Sequence, residues 1–213
     1  MVDLVIFFKT LKSMKYSLIA LVCDGNPLIP RAAKFVFGKQ LVVQRCTRHF
    51  LEDLRGLLPK DETEKEKRTK LEQLILHIKQ VIEADTLEAA AAQLATLKQY
   101  AKRYKNPLAT KMIRLFQKTK VELTAHLLHP ELKLPHTTND IENLFKQLML
   151  RLKSIGRFFH QDYARNYLNG WALLRRFTPF TDCRGDRKYR NKKTPLELAG
   201  CVIENIDPMK LIN

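Results

Sequence analysis

The chain has 213 residues, with 38 Lys and Arg against 22 Asp and Glu, and a formal net charge of +16 at pH 7. Because 45% of the residues are hydrophobic, the chain can bury a core, which excludes full disorder. The length indicates one domain, or one domain with an insertion. No apolar run approaches the roughly 18 residues of a membrane span, so the chain is not expected to enter a membrane. Four scattered cysteines make no disulfide framework, and we expect a cytoplasmic protein.

The positive charge is densest in residues 146–193, which hold 13 Lys and Arg against 3 Asp and Glu. A basic segment of this kind indicates a polyanionic partner, either nucleic acid or an anionic membrane surface. The alternative is a generally basic protein in which the charge serves solubility alone.

Residues 1–50 predict a mixed α/β unit in the order helix, strand, helix, strand. Apolar residues at helical spacing predict helices over 4–14 and 28–37. Compact apolar runs at 17–23 and 41–46 predict two strands, and the first of these ends abruptly at a turn.

Residues 51–134 predict an all-helical block, because they show helical periodicity and no convincing strand. Two apolar stripes predict two long helices, and the second stripe is preceded by Asp85 and Glu88 at the spacing of a capping box. Pro107 is predicted to open a third helix. A helical module of residues 60–125 that binds other proteins is an alternative.

The remaining residues predict two further helices and a basic tail. A strongly amphipathic helix is predicted over 141–155 and another over 163–176, both within the segment 135–180. Residues 181–213 form a basic C-terminal segment, in which 184–193 is predicted to be a loop.

Two acidic residues, Asp24 and Glu142, are candidates for a functional site. Asp24 ends the first predicted strand, and α/β proteins place their sites in the crevice outside the carboxyl ends of strands. The alternative role of Asp24 is to start a turn, as Asp-Gly often does. Glu142 lies one turn into the strong helix, where it could equally form a capping box with Asn139 as the N-cap. The residues alone leave both alternatives open.

Cys46 and His49 form a C-x-x-H pattern at the end of the second predicted strand. A structural zinc site needs about four ligands, and no second pair stands nearby at metal-ligand spacing. A buried thiol and a hydrogen-bonded histidine are therefore the favoured interpretation. The sequence contains no glycine-rich phosphate loop and no nucleophile elbow.

Several of these pieces occur together, in order, in one known family. They are the strand end at 20–25, the C-x-x-H segment at 44–49, the T-T-N-x-x-E pattern at 137–142 and the R-x-x-x-x-G-R-F pattern at 151–158. In this order they resemble the Mutator-like prokaryotic insertion-sequence transposases, over most of residues 5–180. The last two patterns are the most specific, because several residue types must fall in order.

This resemblance implies an α/β fold with a partial ribonuclease H-like core that an all-helical insertion interrupts. It also implies a transposase of the Asp-Asp-Glu type, which cleaves DNA and transfers the strand with Mg²⁺ (or Mn²⁺) as cofactor. Two such ions about 4 Å apart stabilise the attacking and leaving oxygens, and hard carboxylates hold them. Asp24 would be the second catalytic Asp and Glu142 the catalytic Glu, both as metal ligands. The implied partners are the insertion-sequence ends and target DNA, and self-association of the chain.

The resemblance assigns roles to further residues. Cys46 and His49 match the family's C-x-x-H and, with Asn139, are expected to support the site. Five cations are expected to hold the DNA backbone: Arg48, Lys146, Arg151, Lys153 and Arg157.

In the family the first catalytic Asp lies well before the second, whereas Asp3 is the sole acidic residue before Asp24 here. We therefore expect an N-terminally truncated transposase, for which activity is an open question. The alternative is a catalytically inactive DNA-binding remnant, or a regulator of a full-length transposase. A truncated sheet would expose unpaired strand edges, so association with a partner is also expected.

Overall fold

The structure is a computed structural model that describes residues 1–203 and 206. Its two strands are β1 (Ala20–Cys23) and β2 (Val42–Arg45). Its α-helices are α1 (Val2–Ser13), α2 (Leu28–Phe37), α3 (Thr47–Arg55), α4 (Lys65–Ile82), α5 (Leu87–Arg103), α6 (Pro107–Leu123), α7 (Ala125–Leu128), α8 (Asn139–Ile155), α9 (Gln161–Phe177) and α10 (Pro195–Leu198). Among the described residues, none of the helices combines the length and the apolar character that a membrane crossing requires.

The chain divides into two compact units, residues 1–145 and residues 146–213. The first unit contains both strands and most of the helices. The predicted mixture of helix and strand is confirmed, with helix in large excess. The four segments predicted from the sequence (1–50, 51–134, 135–180 and 181–213) divide the chain more finely than these two units do. Their boundaries therefore remain predictions.

The two strands form a parallel pair connected by α2. Ala20 lies opposite Val42, and Cys23 lies opposite Arg45. Because the strands are parallel, the residues that follow them meet at one edge of the sheet. The amide of Cys46 donates to the carbonyl of Cys23 at 2.7 Å, which extends the pairing to the point where the chain leaves β2.

Helices α1 and α2 form a small apolar cluster beside β1. Its buried residues are Phe8, Ala32, Ala33, Val36 and Leu41. The predicted helices over 4–14 and 28–37 are confirmed by α1 and α2. Gly38 follows α2 with φ of 102°, a left-handed conformation that glycine adopts without strain, and the chain then turns toward β2.

A larger apolar core lies among α3, α4, α5 and α6. Its largest fully buried side chains include Phe50, Leu54, Leu71, Leu74, Ile78 and Phe116. The predicted helical block is thus confirmed, and Asn106 caps α6 by accepting the amide of Leu108 at 2.8 Å. The start predicted for α5 is wrong by one residue. Thr86, not Asp85, caps this helix, because its hydroxyl accepts the amide of Ala89 at 3.1 Å.

A buried glutamine attaches β2 to the end of the helical block. Gln44 has no exposed surface, and its Nε2 donates to the carbonyl of Leu123 at 3.2 Å. Its Oε1 accepts the amide of His126 at 2.9 Å. These bonds satisfy polar groups that would otherwise be buried without partners, so the strand and the end of α6 hold a fixed relation.

The unit formed by residues 146–213 contains α9 and the basic tail. The predicted loop at 184–193 is partly wrong, because Gly185–Arg190 forms a short 3-10 helix. The amide of Phe180 donates to the carbonyl of Lys193 at 3.0 Å, which closes this segment into a compact turn. Parts of the basic C-terminal prediction beyond residue 203, except residue 206, lie outside the described residues.

Candidate active site

Asp24 lies directly after β1 and is exposed. Its Oδ1 accepts the amide of Asn26 at 3.0 Å, which is the turn contact that Asp-Gly sequences favour. The turn role considered from the sequence is therefore real. It leaves the carboxylate at the carboxyl edge of the parallel pair, facing solvent.

A groove of about 390 Å³ runs past Asp24. A second carboxylate, Glu122 of α6, lines the same groove. Burial, and then the nearby charges of Asp24 and Glu122, raises the pKa of the Cys23 thiol to about 11. Four cations also line the groove: Arg31, Lys34, Arg45 and Lys118. The groove thus combines carboxylates, which attract a cation, with basic side chains suited to phosphate.

The first turn of α3 is fixed by the segment that precedes α8. The amide of Thr47 donates to the carbonyl of His136 at 2.9 Å, and the Thr47 hydroxyl donates to the same oxygen at 3.2 Å. The Thr138 hydroxyl lies 3.4 Å from the Cys46 sulfur. These contacts bring α8 to the amino end of α3 across about ninety residues of sequence.

Glu142 is held by two donors. The Thr138 hydroxyl donates to Oε1 at 2.5 Å, and the Arg48 guanidinium binds Oε2. The Thr138 hydrogen bond, followed by the one from Arg48, lowers the pKa of Glu142 below its ordinary value. The carboxylate is therefore ionised at neutral pH and points toward the start of α3.

The predicted role of Asn139 as an N-cap is wrong, because Asn139 is the first residue of α8. The amide of Glu142 donates to the carbonyl of Thr138 at 3.0 Å, so the helix starts one residue earlier than the predicted capping box requires. Asn139 is exposed.

Cys46 and His49 lie beside Glu142. One ligand atom from each of the three side chains lies within 4.8 Å of the others, and His49 Nε2 is 3.8 Å from Glu142 Oε1. Burial raises the pKa of the Cys46 thiol, but hydrogen bonds from His49 and Thr138, led by the one from the His49 amide, outweigh it and lower the pKa overall.

The structure thus brings three of the predicted site residues together, namely Cys46, His49 and Glu142. Asp24 stands outside this trio, at the neighbouring strand end. Carboxylate oxygens are the ligands that Mg²⁺ takes, so Asp24 and Glu142 fit this ion by donor type. Cys46 and His49 offer sulfur and nitrogen, which Mg²⁺ does not favour.

The five predicted DNA-binding cations have two different environments. Arg48 is engaged by Glu142 and, at 3.1 Å, by Glu52. The other four are exposed: Lys146, Arg151 and Lys153 on α8 and Arg157 just after it. These four belong to the unit of residues 146–213.

Some contributors to the site are not evident from the sequence. Thr138 belongs to the T-T-N pattern, so its position beside Glu142 was a usable signal. Glu122 lies on α6 outside any of the recognised motifs, and its place in the groove beside Asp24 depends on how α6 packs against β2.

Comparison with known families identifies the chain. The family model described as Transposase, Mutator family matches residues 5–173, which is most of the sequence, so the chain belongs to the Mutator family of transposases. A search of curated proteins and a search of solved structures found no match to it.

Proposed function

We propose that the chain carries the Asp24 and Glu142 part of an Asp-Asp-Glu active site, for metal-dependent DNA cleavage and strand transfer of an insertion sequence. The observation that carries this proposal is the parallel pair of strands, whose carboxyl edge bears Asp24 and whose second strand leads into the helix that binds Glu142. The unit β1–α2–β2 would then be part of a ribonuclease H-like core.

In this proposal, Asp24 and Glu142 would hold Mg²⁺ or Mn²⁺. Such an ion, when bound, stabilises charge on the oxygens that attack and leave the phosphorus. The chain's own residues prepare this role, since Thr138 and Arg48 keep Glu142 ionised and oriented. The cations in the groove beside Asp24 would hold the scissile strand by its phosphates.

The test is nicking of supercoiled plasmid DNA in Mn²⁺, with the full chain and two isosteric variants, Asp24→Asn and Glu142→Gln. Each variant is expected to abolish nicking, because an amide does not replace an anionic metal ligand. Asp85→Asn and Glu88→Gln are matched controls, since both side chains are exposed and neither lines the groove nor belongs to the cluster around Glu142. Equal nicking by all five proteins, or none by the parent chain, contradicts the proposal.

A second candidate is a DNA-binding protein that cuts nothing and acts as a regulator of a full-length transposase. The exposed cations on and after α8 favour it, because phosphate contacts alone supply most non-specific affinity. Tight, salt-dependent binding of the same plasmid, without nicking in Mg²⁺ or in Mn²⁺, would support this candidate over the first.

A further inference from the structure

Cys46, His49 and Glu142 present three different ligand atoms at the amino end of α3. The Cys46 sulfur, a His49 ring nitrogen and a Glu142 oxygen all lie within 4.8 Å of one another. In the part of the chain that the structure describes, no other trio of His, Cys, Asp or Glu side chains meets this spacing. The cluster consists of the C-x-x-H pattern at the start of α3, Cys46 and His49, and one residue of α8, Glu142.

The donor set is suited to a different ion from the one expected at a pair of carboxylates. Thiolate, imidazole and carboxylate are the ligands of Zn²⁺ and similar ions, and three of them with an open fourth position form a recognised zinc arrangement. With metal–ligand bonds of about 2.0–2.3 Å, tetrahedral ligand atoms stand roughly 3.3–3.6 Å apart. The 3.8 Å between His49 Nε2 and Glu142 Oε1 is close to this value, and all three ligand atoms lie within 4.8 Å of one another, so side-chain rotation has to bring them closer before an ion is bound.

The two ring nitrogens of His49 have different surroundings. Nε2 faces Glu142, whereas Nδ1 is buried and has no hydrogen-bond partner among the described residues. A buried polar atom without a partner is uncommon in folded proteins, so an ion bound through Nδ1 would satisfy this atom, and an ion bound through Nε2 would leave it to a water. Cys46 itself is fully buried, and its amide is fixed to Cys23, so the sulfur is held in place before any ion binds.

We propose that Cys46, His49 and Glu142 form a site for a zinc-class divalent transition-metal ion. The ligands are the Cys46 sulfur, one His49 ring nitrogen and one Glu142 oxygen, and the thiol proton leaves to solvent on binding. Arg48 binds Oε2 of Glu142, so Oε1, which faces His49 and also accepts the Thr138 hydroxyl, is the oxygen that would bind the ion. Glu142 is also the carboxylate proposed to hold Mg²⁺ or Mn²⁺ with Asp24, so the two proposed sites share this ligand. The present proposal concerns ion binding and does not rest on DNA cleavage.

The test is a titration of Co²⁺ into the metal-free full chain, kept reduced by a reductant without thiols. A thiolate ligand gives a sulfur-to-cobalt charge-transfer band, which we expect to saturate at one ion per chain. Cys46→Ser is expected to abolish the band, and His49→Asn and Glu142→Gln to weaken Co²⁺ binding about tenfold or more. Cys183→Ser and Cys201→Ser, which alter the two less buried thiols, are expected to leave the titration unchanged.

Competition identifies the class of ion. Zn²⁺ is expected to displace Co²⁺ and bleach the band, whereas Mg²⁺ at much higher concentration leaves it intact. Absence of the band in the parent chain overturns the proposal, and so does a band that survives Cys46→Ser. Should Cys46→Ser fail to fold, the partly exposed His49 and Glu142 carry the test, and unchanged affinity in both variants overturns it.

The outcome is separable from that of the nicking assay. A chain that binds Co²⁺ through Cys46 but never nicks DNA refutes the proposed cleavage and leaves this site standing. A chain that nicks DNA in Mn²⁺ but shows no charge-transfer band refutes the transition-metal site alone.

Discussion

The Arg48 guanidinium, on the first turn of α3, binds the carboxylate of Glu142, which lies 94 residues further along the chain on α8. This ion pair makes Arg48 a neighbour of the site rather than a free cation, and it lowers the pKa of Glu142 together with the Thr138 hydroxyl. A residue predicted to hold DNA thus acts first on a candidate catalytic carboxylate.

Removing either donor to Glu142 is expected to raise the pKa of its carboxyl group. In Thr138→Val and in Arg48→Gln, one hydrogen bond to the charged form is removed, so the ionised state is less favoured. The measurement is an NMR titration of the glutamate side-chain carbons, assigned by comparison with Glu142→Gln. Thr137→Val is the matched control for the first variant. A Glu142 pKa that stays constant in both variants would show that neither hydrogen bond persists in solution.

Arg48→Gln is also expected to strengthen Co²⁺ binding, because it removes a positive charge beside one of the proposed ligands. The gain should appear as a lower Co²⁺ concentration at half-saturation of the charge-transfer band. Arg55→Gln, on the last turn of the same helix, supplies the control with equal charge loss. If Arg48→Gln instead weakens binding as far as Glu142→Gln does, Arg48 positions the carboxylate and does not compete with the ion.

Stability is expected to fall in acid through His126. Burial, and then the charge of the stacked His136, lowers the pKa of His126 from 6.5 to about 4. Between these values the unfolded chain binds the extra proton, so the contribution of His126 is complete above about pH 6.5 and is lost as the pH falls toward 4. Urea unfolding across this range should show the loss.

The matching variant is His126→Gln, which should flatten the pH dependence in that window whatever its effect on stability at neutral pH. His129→Gln alters a nearby, more exposed histidine and should keep the parent's slope. An unchanged slope in His126→Gln would mean that His126 is not the group that titrates.

Gln44→Ala is expected to destabilise the chain by about 2–4 kcal/mol. The substitution leaves a cavity and removes the partners of the Leu123 carbonyl and the His126 amide, both in the interior. Gln99→Ala, on the exposed face of α5, should change stability little. Chemical unfolding of both variants at neutral pH measures the difference, and equal values would show that the buried bonds contribute nothing net.

Neutralising the four exposed cations on and after α8 is expected to weaken DNA binding and its dependence on salt. Replacing Lys146, Arg151, Lys153 and Arg157 by Gln should reduce the slope of log affinity against log salt by up to about four, since each phosphate-binding cation accounts for roughly one. The matched control removes four exposed charges elsewhere, at Lys98, Lys102, Arg103 and Lys105. Equal slopes for the two quadruple variants would exclude a specific DNA-binding role for the α8 cations.

The sequence predicted the elements well where local pattern decides them. The helices α1, α2, α8 and α9 and both strands lie where spacing and turn residues put them, although each strand is shorter than its apolar run. The length of a strand depends on how many residues its partner strand can pair with. Four residues of β1, Ala20–Cys23, pair with the four residues of β2. No local pattern carries that information.

The candidate site was predictable in its residues but not in its contacts. Cys46, His49 and Glu142 were named from ordered motifs, and the T-T-N pattern placed Thr138 near Glu142, but no motif indicated that the guanidinium of Arg48 would bind this carboxylate. Such contacts depend on how a segment about ninety residues away returns to α3. Glu122 was missed for the same reason, since its proximity to Asp24 follows from packing alone.

The contacts between the start of α3 and the residues from His136 to Glu142 have a consequence for biosynthesis. Cys46 and His49 are made early, but the Thr138 and Glu142 side chains that complete their surroundings emerge from the ribosome only after the whole helical block. Until then the thiol and imidazole lack their third ligand, and the Thr47 amide lacks the His136 carbonyl. A nascent chain stalled before His136 would therefore carry the Cys46 thiol and the His49 imidazole without Glu142. In that state the thiol would be exposed to oxidation, and the two side chains could bind a metal ion other than the native one.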